Sequence, residues 1–140
     1  PGVAARGKQV FFNTAGISCK NCHRIAQEGA EVGPELTTIS KKYNRAQLLE
    51  SILEPSKFID PKYVTYLLET KEGLVVSGLL TERTEKEVVL KDAQNKVVRF
   101  PVSDIEHLAT QQQSLMPELL LRDMTAQQVA DLLEYLVSLK

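Results

Sequence analysis

Two cysteines and a histidine lie close together near the amino end of the chain, in the string Cys19-Lys20-Asn21-Cys22-His23. Cysteines three residues apart on one helical turn place both sulfurs on the same side, where they can bond the two vinyl groups of a haem. The adjacent histidine then projects beneath the iron. These are the only two cysteines in the sequence. The string therefore predicts one covalently attached haem c, with His23 as an iron ligand.

Three other uses of the cysteines compete with haem attachment. A zinc site would need His107 as its fourth ligand and would take His23 directly beside Cys22, a spacing that zinc sites seldom use. A redox dithiol would need Cys19 to follow a strand in a βαβ unit, whereas a helix is predicted before it. A structural disulfide between the two cysteines would close a very small loop. Haem attachment is the favoured interpretation, and the sequence leaves these alternatives open.

A second protein ligand to the iron has three candidates. Met116 lies in a non-helical stretch just before the last helix, where a thioether can reach a buried iron from a loop. Met124 stands at the threshold of that helix and is typical of a core residue, and His107 lies within a strand pattern. Met116 is the favoured ligand. Ligation by His23 and Met116 would leave no vacancy for oxygen or peroxide, which favours electron transfer over catalysis.

Helical patterns flank the middle of the chain and would position these residues. In residues 1–62, apolar residues at helical spacing predict a first helix that Gly16 is placed to end, and a second helix over residues 46–53. Residues 109–140 return to helical spacing. There, Thr125 with a glutamine three residues later is a capping box, which marks the start of the last helix.

The middle of the chain, residues 63–108, is rich in β-branched and aromatic residues separated by turn signals. In a flat meander of strands this short, the apolar face of the sheet would be exposed to water. A strongly curved sheet or small barrel is therefore expected. The predicted fold class is mainly α: a helical domain of residues 1–62 and 109–140, interrupted by a small antiparallel barrel. The predicted strands cover residues 63–71, 74–81, 87–91, 96–100 and 105–109.

Composition excludes several classes of protein. The 140 residues are 43% hydrophobic and 25% charged, as in an ordinary globular domain. A net charge of −1 argues against nucleic-acid binding, and no apolar run approaches the roughly 20 residues that cross a membrane. The chain begins with Pro1 and shows no leader pattern, so we interpret it as a mature or excised product.

With these residues identified, the chain resembles a class I cytochrome c over residues 1–62 and 109–140. Gly7 and Phe11 match the family's amino-terminal helix, and Tyr135 is similar to the aromatic residue of the last helix that packs against it. In that family, glycine at the crossing lets the two terminal helices approach closely. The resemblance implies that the two ends of this chain pack together.

Two further stretches carry the resemblance into the site. Gly33-Pro34-Glu35-Leu36 resembles the family's Gly-Pro-x-Leu segment, which implies that the Pro34 carbonyl orients the ring of His23 and that Leu36 walls the haem pocket. Met116 followed by proline resembles the family's distal-ligand loop. The implied haem site therefore consists of Cys19, Cys22, His23, Pro34, Leu36 and Met116, with His23 and Met116 as the iron ligands.

The chain departs from class I proteins over residues 63–108, where the predicted barrel resembles SH3-like or Sm-like modules. As a whole it is similar to the haem-binding domain family of planctomycetes and verrucomicrobia, whose members often end larger periplasmic proteins. The insertion is interpreted either as a docking surface or lid for one haem edge, or as a tolerated insertion.

The resemblance implies a monohaem electron-transfer protein rather than an enzyme, either free-standing or a module of a larger redox protein. It implies a periplasmic or other extracytoplasmic location and an unidentified redox partner protein. Charge and hydropathy predict no nucleic-acid partner and no membrane span in this chain. The alternative is a haem-based sensor or a small peroxidase, in which the distal position is labile or open.

Overall fold

The structure is a computed structural model of the chain, and it describes residues 1–14 and 18–140. Gly16, predicted to end the first helix, lies outside the described residues. The described part contains three α-helices and one five-stranded sheet. The helices are α1 (Ala4–Asn13), α2 (Arg45–Leu53) and α3 (Ala126–Val137), and the strands are β1 (Thr65–Thr70), β2 (Val75–Arg83), β3 (Glu87–Lys91), β4 (Val97–Pro101) and β5 (Ile105–Thr110).

Two of the three helices, α2 and α3, begin where their own sequences supply caps. Asn44 and Gln47 form a capping box at the start of α2, in which each side chain bonds the other residue's main-chain N–H. Thr125 and Gln128 form the same box at the start of α3, so the predicted capping box is confirmed. These caps fix the start of each helix and therefore the side that each presents to the core.

The two terminal helices, α1 and α3, cross in close contact at Gly7. A Cβ atom added to Gly7 would lie 1.9 Å from the carbonyl oxygen of Asp131 in α3, so only a residue without a side chain fits there. Beside this crossing, the rings of Phe11 and Tyr135 meet edge to face, with centroids 6.1 Å apart. The implied packing of the two ends of the chain is thus present, through the glycine and aromatic residues that carried the resemblance.

Asp131 also caps the start of α1 from the neighbouring helix. Its carboxylate accepts the main-chain N–H of Val3 at 2.8 Å, the guanidinium of Arg6 at 2.9 Å and the side-chain amide of Gln127 at 2.8 Å. Asp131 is only 2% exposed. These donors, led by Arg6, lower the pKa of Asp131 from 3.8 to about 2, against the opposing effect of burial.

Asp131→Asn is expected to make the stability of the folded protein less dependent on pH. Because the folded-state pKa is lowered, the ionised carboxylate stabilises the fold at pH values above about 3.8, and this contribution disappears as the pH falls towards 2. Urea unfolding should therefore show a gap between wild type and variant that is constant near neutral pH and narrows below pH 4. The exposed Asp123→Asn serves as control, and a gap of constant size at all pH values would contradict the prediction.

The strands form one antiparallel sheet in the order β4-β3-β2-β1-β5. Register shifts interrupt the β1–β5 pairing at Glu69/Thr70 and the β2–β3 pairing at Leu80/Glu82, and such irregularities bend a sheet. Although β4 and β5 lie at opposite edges, only three residues, Val102–Asp104, connect them. Because three residues span at most about 10 Å, the sheet must curl until its edges approach at this end.

The predicted fold class is wrong in two respects. The sheet is open and is not a closed barrel, because β4 and β5 are not paired within the described part of the chain. The chain is also not mainly α, since α-helices and short 3₁₀ turns together make up 31% of it, and strands with an isolated β-bridge make up 24%. Five short strand patterns indicate curvature but do not determine whether the two edge strands meet along their length, which closure requires.

Two separate apolar clusters fill the molecule. The first gathers buried side chains of α1, α2 and α3, with Phe11 and Leu132 each 1% exposed. The second lies on one face of the sheet around Leu68 and Leu90. The candidate site residues belong to the region around the first cluster, where Cys19 and Leu36 are partly buried against it.

Candidate functional site

A short 3₁₀ turn, Cys19–Asn21, positions the two cysteines and the histidine. The N–H groups of Cys22 and His23 both bond the carbonyl of Cys19, at 3.2 and 2.9 Å. This tight turn brings Cys19, Cys22 and His23 to one cavity, which all three residues line. The Ser18 hydroxyl, donated to the carbonyl of Phe11 at 3.0 Å, ties the turn to the end of α1.

The ring of His23 is held by the segment that follows it. Its Nδ1 lies 2.7 Å from the carbonyl oxygen of Pro34, and because a carbonyl can only accept, Nδ1 carries the proton and Nε2 keeps a lone pair. A Cβ atom on Gly33 would lie 2.8 Å from Cε1 of the ring, so the glycine makes the space in which the ring rests. Burial lowers the pKa of His23, an effect that the bond to Pro34 opposes. The neutral imidazole is the form that binds a metal.

The cavity has a volume of about 460 Å³, within the range of cofactor pockets. Apolar side chains from the helical part form most of its wall, and Phe58, 74% exposed, marks a side that is open to solvent. All six residues of the predicted haem site line this one cavity. Its wall includes Phe11, Cys19, Cys22, His23, Val32, Pro34, Leu36, Ile39, Leu48, Ile52, Phe58, Leu79, Met116, Leu120, Leu132 and Leu136.

Of the three candidates for a second iron ligand, Met116 is the one that lines the cavity. Its loop is anchored by two hydrogen bonds, from Ser114 N–H to the Ser56 hydroxyl at 2.9 Å and from Met116 N–H to the Ser114 hydroxyl at 3.1 Å. Met124 and His107 are absent from the described wall, and His107 lies on β5 opposite Glu69. The loop therefore brings a thioether to the cavity that His23 also faces.

The alternatives to haem attachment lack support in the described part of the chain. No group of three or more His, Cys, Asp or Glu side chains that could hold a metal ion is present there. Cys19 and Cys22 are not joined by a disulfide. Burial raises the pKa of both thiols, whereas a reactive dithiol needs a lowered one.

The side chains present fit a covalently bound haem c. Cys19 and Cys22 line the cavity beside the neutral imidazole of His23. A Cβ atom on Gly33 would displace that ring, and Met116, which carries a soft thioether, lines the same apolar space. Nitrogen and thioether sulfur are the donors that haem iron takes in electron-transfer proteins. The ring of His23, Gly33 and Pro34 thus form a preorganised metal-ligand unit.

The sequence patterns assigned six of the cavity residues to the site and left the others out, among them Phe58, Lys62 and Leu79. Phe58 and Lys62 follow α2 in an irregular stretch without helical or strand periodicity, and Leu79 lies in the middle of β2. The sequence signal for Phe58 was only that it is a phenylalanine next to a turn. Leu79 carried none, because its role depends on how the sheet packs against the helical part.

Comparison with known proteins gives one family. The family model described as Cytochrome c matches residues 4–71, just under half of the chain. The match supports a class I c-type cytochrome, and it includes Cys19, Cys22 and His23 but ends before Met116 and α3. No curated protein matches the chain. In the described part of the chain, none of the helices is long and apolar enough to cross a membrane.

Proposed function

We propose that this chain is a monohaem c-type cytochrome that transfers single electrons and is not itself an enzyme. The observation that carries the proposal is the bond from His23 Nδ1 to the Pro34 carbonyl, which leaves Nε2 of a neutral imidazole as the available donor beside both cysteines. When bound, the haem supplies a one-electron couple of ferrous and ferric iron.

The residues of the cavity have distinct roles in this proposal. Cys19 and Cys22 would hold the haem by thioether bonds, and Pro34 fixes the tautomer and orientation of His23. Leu36 helps to exclude water. Met116 is the second iron ligand, supported by its anchored loop and its place in the cavity wall. A thioether would favour ferrous iron relative to a second imidazole, and ligation of the iron by both His23 and Met116 would favour electron transfer over the binding of small ligands.

We infer the wider setting from the likeness of the chain to c-type cytochromes. Residues 1–62 and 109–140 form the haem domain, and residues 63–108 are inserted into it. The partner is another redox protein, and the location is periplasmic or otherwise extracytoplasmic. The haem-binding domain family of planctomycetes and verrucomicrobia is the proposed subfamily.

The test of ligation compares Met116→Ala with Met124→Ala in the haem-loaded protein. The wild type is expected to show the weak far-red absorption of a ferric iron–methionine bond. Met116→Ala should lose that band and bind carbon monoxide readily when reduced, because a methyl group cannot ligate the iron. Met124→Ala, the matched control, should keep the wild-type spectrum.

Two outcomes would contradict the proposal. A wild-type protein that lacks covalent haem, judged from its pyridine haemochrome spectrum, would remove the cytochrome assignment. A wild-type protein that carries haem but binds carbon monoxide at once would favour the sensor or small peroxidase, with an open or labile distal position.

A further inference from the structure

Contacts between the sheet and the helical part converge at Cys22. The carbonyl oxygen of Ala93, in the turn between β3 and β4, lies 3.9 Å from the Cys22 sulfur. Lys91, at the end of β3, donates from Nζ to the main-chain carbonyl of Glu31 at 2.9 Å. The β3–β4 hairpin is therefore held against the loop that carries both cysteines and the histidine.

The neighbouring strand, β2, supplies part of the cavity wall. Leu79 lines the cavity and is 6% exposed. Its cross-strand partners are Thr65 in β1 and Lys91 in β3, and cross-strand partners share one face of a sheet. This face, which we call the inner face, is thus directed at the helical part through both Leu79 and Lys91.

The apolar cluster of the sheet lies on the other face. Leu80 and Leu90, each next in sequence to an inner-face residue, pack in that cluster, as expected because successive side chains of a strand point to opposite faces. The burial of Leu79 therefore does not come from the sheet's own core. Leu79, on the inner face, is buried because it contacts the cavity and the helical part around it.

We propose that β2 and the β3–β4 hairpin form a wall that shields the Cys22 edge of the haem from water. This inference rests on the proposed function, since it assigns the inserted sheet a role at the same site. A dry, apolar wall disfavours the more highly charged ferric state, and burial of this kind tunes the potential of a haem. Away from this wall the cavity is lined by exposed side chains such as Phe58, which is 74% exposed.

The experiment uses the haem-loaded protein with Leu79→Ser and Lys91→Ala. Lys96→Ala, in the same hairpin and with the same change in charge, is the matched control. Leu79→Ser is expected to lower the ratio of ferrous to ferric protein several-fold at a fixed ambient potential, because a hydroxyl brings water to the haem edge. Lys91→Ala should shift the ratio in the same direction.

A second readout does not depend on the redox state. The N–H groups of Val32 and Gly33 bond the Cys22 carbonyl at 3.0 and 2.7 Å, in the loop that Lys91 tethers through Glu31. Lys91→Ala should accelerate hydrogen exchange at these amides several-fold relative to Lys96→Ala. If Leu79→Ser does not fold, the redox ratio and the exchange rates of Lys91→Ala, both compared with Lys96→Ala, decide the question together.

The outcomes separate the two proposals. If both variants match Lys96→Ala in redox ratio and in exchange, the wall does not exist and the inference is overturned. If the wild type lacks covalent haem, the proposed function fails, and with it the shielding role, even where exchange shows that the hairpin is tethered. Changes in both readouts in a protein that carries covalent haem support the wall.

Discussion

Replacing Cys19 and Cys22 together by alanine is expected to give a protein without covalent haem and with most of its folded population lost. The two thiols are the only attachment points in the sequence, and the cavity they line has a volume of about 460 Å³ with mainly apolar walls. An empty apolar cavity costs about 24 cal/mol per Å³. Because this one opens to solvent at Phe58, only part of that penalty applies. Even part of this free-energy penalty is comparable with the net stability of a domain, roughly 5–15 kcal/mol.

Three measurements check this result: the haem that remains after denaturation, the yield of soluble protein and the far-ultraviolet circular dichroism. Lys20→Ala is the matched control, because Lys20 is exposed between the two cysteines and should keep haem and fold. A normal yield of well-folded double variant would show that the helical core does not need the cofactor as a staple. Haem retained through denaturation in that variant would contradict the attachment itself.

Gly7→Ala is expected to destabilise the protein by about 3 kcal/mol or more, although alanine has the higher helix propensity by about 1 kcal/mol. A Cβ atom at this position would lie 1.9 Å from the carbonyl oxygen of Asp131 and 2.5 Å from its carbonyl carbon. Both atoms belong to the main chain of α3 and cannot rotate away. The two terminal helices must therefore separate, which loosens the contact between Phe11 and Tyr135.

Chemical unfolding of the haem-loaded protein measures this change. Lys8→Ala, on the exposed side of α1, should stay within about 0.5 kcal/mol of wild type. Gly73→Ala tests a glycine of another kind: its φ is +92° and nothing lies within 4 Å of an added Cβ, so only the conformational cost of about 1 kcal/mol is expected. If Gly7→Ala proved no worse than Gly73→Ala, close helix packing would not be the reason for glycine at position 7.

The positions of the secondary structure followed closely from local sequence. Each of the five strand patterns corresponds to an observed strand within about two residues at either end, because alternation and turn residues are local signals. The capping box at Thr125 is equally local. Whether the sheet closes into a barrel does not follow from local sequence. The edge strands β4 and β5 are connected through Val102–Asp104 but are not paired with each other, so the barrel prediction was wrong.

The candidate site divides in the same way. By itself, the spacing of Cys19, Cys22 and His23 determined which side chains could hold a haem, since that chemistry is contained in five consecutive residues. The tertiary structure decided that Met116, rather than Met124 or His107, lines the cavity. It also decided that Leu79 of the sheet lines the same cavity. These residues lie far from the cysteines along the chain, and only the packing of helices, loop and sheet around a common space brings them together.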